Sequence, residues 1–154
     1  MTTKFRAKHG TRGHAVIEVS LMAPWIFFLF VGTLDFGFYA YAAISTENAA
    51  RVAVSQTAQD TNTAARADLA CTYAIGELRS MPNMVGVTGC VANPGSITNT
   101  SPVAAAATQI NGVDGALASQ VSITYQTIQM IPIPGLVAGR YTLTRTAEMR
   151  LRDQ

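Results

Sequence analysis

Residues 14–44, HAVIEVSLMAPWIFFLFVGTLDFGFYAYAAI, decide how the rest of the chain is read. From Leu21 to Leu34 no residue carries a formal charge, and Phe36 to Ile44 continues the apolar run. As a helix the stretch would extend about 45 Å at 1.5 Å per residue. That exceeds the roughly 30 Å hydrocarbon core of a bilayer, so a tilted span has helix to spare. A removed secretory signal would share the basic front, Lys4, Arg6, Lys8 and Arg12. Its apolar part would be shorter, however, and would end in a small-residue processing box. A soluble core helix would need more apolar surface around it than a chain of 154 residues supplies. The expectation is a retained, membrane-inserted helix, with the basic side cytoplasmic and the rest of the chain outside.

Three residues within it cost free energy. Glu18 lies near one end and Asp35 past the middle, and an acid in the hydrocarbon needs a partner or an interface. Pro24 removes one helical hydrogen bond and invites a kink.

Composition agrees with this topology. The first thirteen residues hold four of the eleven Lys and Arg and no acid, leaving seven Arg against nine Asp and Glu. The outer part is therefore mildly acidic, which argues against nucleic acid as a partner. His9 and His14 lie far from Cys71 and Cys90, and no ligand cluster forms in the sequence, so neither a metal nor another cofactor is expected. No Ser, Thr or Cys has a visible base partner, so no enzymatic role is expected. Cys71 and Cys90 fall on the outer side. There they would either form a disulfide closing a loop of about twenty residues, worth on the order of 2–4 kcal/mol, or remain two buried thiols.

Before the apolar run, Gly13 gives a position without a Cβ, and Glu18 is the fifth residue after it. Cutting after Gly13 would expose an ammonium on His14, which the Glu18 carboxylate of a neighbouring subunit could neutralise. Alternatively, Glu18 lies at headgroup level, balanced by Arg12. Spacing alone leaves both open.

From Arg12 to about Ala58 the residues resemble the TadE-like family, pilin-like proteins of tight-adherence (Flp-type) pilus systems. The resemblance rests on Gly13 before the apolar helix, Glu18-Val-Ser-Leu21 followed by Pro24, and Gly32-Thr-Leu-Asp35-Phe-Gly37. It continues through Tyr39-Ala-Tyr41-Ala-Ala and Asn48-Ala-Ala-Arg51. It implies a structural subunit, a minor pilin or pseudopilin, with Gly13 and His14 flanking the processing point and Glu18, Pro24, Asp35 and Arg51 serving assembly. Its implied partners are other pilin-like subunits, a prepilin peptidase, inner-membrane lipid and the pilus assembly machinery. The alternative is a single-pass accessory protein of the bacterial inner membrane that does not polymerise.

The domain expectation is a basic leader at 1–13, a long hydrophobic helix at 14–59 with its membrane part near 16–44, and a small head at 60–154. Ala42, Ala43, Ala49, Ala50, Ala53 and Ala58 line the far part of the long helix. They suit close helix bundling or simply a solvated helix. Glu47 and Arg51 have the spacing and order of a helical ion pair. Asp60-Thr-Asn-Thr63 interrupts the helix with cap and turn formers. A second helix is expected over Ala64–Arg79, with Ala65, Leu69, Tyr73 and Gly76 on one side and Cys71, Ile75 and Leu78 on the adjacent side.

Residues 102–110, PVAAAATQI, leave helix and strand open. Residues 119–128 and 140–151 alternate as a pair of antiparallel strands, with a third strand expected near 84–92. MIPIPGLV (130–137) would touch a membrane or partner, or pack over the sheet. The fold class is α+β: a long N-terminal transmembrane, pilin-like helix followed by a small extracytoplasmic domain with a second helix and an antiparallel sheet.

Overall fold

The computed structural model describes residues 12–131 and 139–152, with side chains from Val16 onward. The loop 130–137 thus lies largely outside the described residues. The chain divides into two compact units, Met1–Phe36 and Gly37–Gln154. Helix α1, Arg12–Thr57, supplies residues to both. The second unit, the head, adds α2 (Ala67–Leu78), a single 3₁₀ turn at Pro94–Ser96, and strands β1 (Val103–Asn111), β2 (Leu117–Gln126) and β3 (Thr142–Arg150). This is the expected α+β fold.

The strands form an antiparallel meander in the order β1-β2-β3. Alternation sets its faces. Val121, Ile123 and Tyr125 of β2 are fully buried, and Leu143 of β3 joins them, while Thr142, Thr144, Thr146, Glu148 and Arg150 are exposed. Burying each such large apolar side chain stabilises the head by roughly 1.5–3 kcal/mol. The β1–β2 turn is closed by Gly112 N–H donating to Ala116 O at 2.8 Å and Gly115 N–H to Gly112 O at 2.9 Å. Gly115 has φ +77°, where an L side chain is strained.

The third strand is not at 84–92. That segment makes one parallel bridge, Val91 with Ala104, and the alanine-rich run 103–111 is the strand. Alanine favours a helix locally, but nine consecutive residues of β1 pair with β2, and tertiary pairing overrides so short a preference.

Helix α2 is shorter than expected at its start. Asp60 Oδ1 instead accepts the backbone N–H groups of Asn62 (2.7 Å) and Thr63 (2.9 Å), and Thr63 Oγ1 donates to Thr57 O at 2.9 Å. The turn formers therefore close the end of α1 rather than cap α2, whose N-cap, Arg66, makes no side-chain cap bond. The buried face of α2 is Ala70, Ala74 and Leu78, spaced four apart. Of the two sides read from the sequence, the one with Cys71, Ile75 and Leu78 turns inward, while Ala65, Tyr73 and Gly76 are exposed.

The alanines of α1 have a role that neither sequence reading offered. Ala42, Ala49, Ala50, Ala53 and Val54 are buried in the same core as Leu78, Val103, Ile123 and Tyr125. Small side chains on this stripe let α1 lie close against the rest of the head. Polar contacts hold the same stretch: Tyr41 Oη with Ser80 Oγ at 2.9 Å, and Thr57 Oγ1 with Ser119 Oγ at 2.7 Å. Ser119 Oγ also donates to Ala64 O at 2.8 Å, so this buried pair is satisfied.

Candidate assembly segment

In the first unit, large apolar side chains are exposed on every side of α1. Val16, Ile17, Val19, Leu21, Met22 and Ile26 are all more than half exposed, with Trp25 at 76% and Phe36 at 72%. An apolar surface of this extent on one helix marks a membrane or partner contact. It is the one helix among the described residues long and apolar enough to cross a membrane. From Val16 to Phe36 the helix rises about 30 Å, which matches a hydrocarbon core. The expected membrane part, 16–44, overlaps the head from Gly37 onward, and Ala42 is fully buried in the head core.

The polar groups in this segment are handled in three ways. Ser20 Oγ donates to Val16 O and Thr33 Oγ1 to Leu29 O, both at 2.8 Å, so these hydroxyls impose no unsatisfied donor on an apolar surrounding. Pro24 lies inside the helix and, lacking an N–H, frees one carbonyl a turn earlier. The acids differ from each other. Glu18 is exposed, whereas Asp35 is partly buried, and its Oδ2 has no hydrogen-bond partner among the described residues. Gly13 and His14 are helical in backbone, and their side chains are outside the description.

Three further expected residues, Arg51, Cys71 and Cys90, lie in the head. Cys71 and Cys90 form a disulfide with a Cα–Cα distance of 5.8 Å. It ties α2 to the segment that bridges β1, so the two-thiol alternative is closed. Arg51 Nε donates to Glu47 Oε1 at 3.0 Å, the helical pair expected from spacing. Sequence reasoning missed Arg145, whose Nε lies 3.8 Å from Glu47 Oε2. A signal was there: Arg145 takes an inward position of β3 between Leu143 and Ala147, and a guanidinium on that face needs an acid nearby. Tyr125 was read only as a core residue. Its buried hydroxyl donates to Asn83 Oδ1, and burial pushes its pKa up to about 12. Among the described residues there is no group of three or more His, Cys, Asp or Glu placed to hold a metal.

The family model described as TadE-like protein matches residues 13–55. No curated protein and no solved structure matches the chain. The match spans the apolar segment and the part of α1 that enters the head, while α2, the disulfide and the sheet lie outside it. Over that segment the chain is similar to the family, and α1 is the one helix among the described residues with the length and apolar character of a membrane span.

Proposed function

We propose that this chain is a minor pilin or pseudopilin of a tight-adherence type pilus or a related secretion assembly. The observation that carries the proposal is the exposed apolar helix of the TadE-like segment, with its acid at the fifth position after Gly13. The basic leader stays in the cytoplasm because Lys and Arg resist translocation, and the head passes to the other side of the inner membrane. A prepilin peptidase cuts between Gly13 and His14. The new ammonium is costly in the bilayer unless neutralised, and the exposed Glu18 of a neighbouring subunit supplies the counter-charge. Lipid covers Val16–Phe36 before assembly, and other pilin-like subunits replace it afterwards. Exchange of one apolar surrounding for another costs little, so packing and the few charges decide association.

The test is the mature N-terminus of the protein recovered from membranes, by intact mass and N-terminal peptide analysis. A chain beginning at His14, and left uncut when Gly13 is replaced, supports the proposal. A full-length chain in cells with an active prepilin peptidase refutes it in favour of a non-polymerising membrane accessory protein.

A further inference from the structure

Asp35 is half-buried, and its Oδ2 has no hydrogen-bond partner among the described residues. No Lys or Arg occurs between Gly13 and Ala50, so the turns of α1 around Asp35 offer no base. At one place on the head positive charge is locally in excess: Glu47 is shared by Arg51 at 3.0 Å and Arg145 at 3.8 Å. These three line an open groove with Ala43, Ile44 and Asn48, and Ile44 is 62% exposed in it.

We propose that this groove seats a second copy of the chain, whose Asp35 carboxylate docks on Arg51 and Arg145. Charge complementarity identifies the occupant, and the spacing of both stripes supports it. Phe28, Gly32 and Asp35 follow one another at intervals of four and three residues, and so do Ile44, Asn48 and Arg51. A single displacement of the second copy therefore brings exposed Phe28 to Ile44, Gly32 to Asn48 and Asp35 to Arg51. A Cβ at Gly32 would meet nothing within 4 Å, so that position leaves room for the Asn48 side chain. Sixteen residues of helix make the displacement about 24 Å.

Copies inserted in one membrane are parallel, so this contact is not reciprocal. The first copy's own Asp35 remains free for a third. A contact between two different patches propagates as an open filament unless it closes into a ring. The displaced copy is raised out of the bilayer, so the contact belongs to assembled subunits and not to pairs within the membrane plane. This inference rests on the pilin-like reading and deepens it by naming the residues that set the stagger.

The experiment uses the full chain carrying Asp35→Cys and Arg51→Cys, produced in the inner membrane with its assembly machinery and run on non-reducing gels after mild oxidation. The two native cysteines are already joined. The expected result is a ladder of dimers, trimers and larger species. Either single variant cannot exceed a dimer, and Asp35→Cys with Arg66→Cys, an exposed arginine outside the groove, gives no ladder. A cleaved chain whose paired variant stops at monomer or dimer overturns the staggered contact, as does an equal ladder from the Arg66 control. Intact mass on the same sample separates the two failures: a cleaved chain without a ladder leaves the pilin-like reading standing, and a chain that keeps its leader overturns both. Should the cysteine pair not fold, as judged by loss of the Cys71–Cys90 bridge, the charge exchange Asp35→Arg with Arg51→Asp decides. Asp35→Arg alone loses assembly and the exchange regains it; failure to regain it overturns the contact.

Discussion

Replacing Cys71 and Cys90 together by Ala removes the one covalent tie in the head. The bridged residues are 19 apart in sequence. Chain-entropy reasoning for a loop of about 20 residues gives about 11 cal/mol/K, or about 3.3 kcal/mol at 25 °C. No strand spans the closed segment. Its core anchors, Ala74, Leu78, Met81 and Met84, are lost on unfolding, so the bridge is the constraint that persists in the unfolded chain. The assay is pulse proteolysis of the full chain in detergent across a urea series, comparing the oxidised wild type with the double alanine variant. With a urea slope of about 1–3 kcal/mol/M the midpoint falls by roughly 1–3 M. A loss below about 1 kcal/mol would refute the reasoning, because it would mean that the unfolded chain already confines residues 71–90 without the bridge.

Ala53→Leu adds bulk at a fully buried position of α1; overpacking there lowers head stability by about 1–3 kcal/mol, and the same protease assay would show no change if the alanine stripe served only contacts between subunits. Tyr125 is buried as the neutral phenol with its pKa raised to about 12. Its contribution is complete below about pH 10, the unfolded value, and is lost as pH rises through the folded value. Alkaline unfolding followed by far-UV circular dichroism should therefore set in over that window and weaken in Tyr125→Phe. Tyr125→Phe also removes the hydroxyl donated to Asn83, costing about 1 kcal/mol at neutral pH, to be read from the urea midpoint. Glu18→Gln keeps the exposed helix and the head intact, so membrane fractionation and the Cys71–Cys90 bridge stay as in wild type. Recovery of the chain in sheared surface filaments should fall to background, and unchanged recovery would remove the counter-charge role of Glu18.

Sequence by itself determined the elements whose cause is local. The uncharged run Leu21–Leu34, continued by Phe36–Ile44 and preceded by a basic stretch, specifies a membrane helix whatever follows, because desolvation depends on composition. Strict alternation over 119–126 and 142–150 specifies strands and their inner faces, because the pleat has a period of two. The Glu47–Arg51 pair follows from one turn of helix. Other features needed the tertiary structure, because their causes are distant in sequence. Ala104–Ala107 became strand through pairing with Thr124–Val121 of β2. The alanines of α1 were buried by a sheet that begins some fifty residues later. Arg145 met Glu47 from the far end of the chain. In each case the local sequence permits two states of similar free energy, and only contacts that close long loops choose between them.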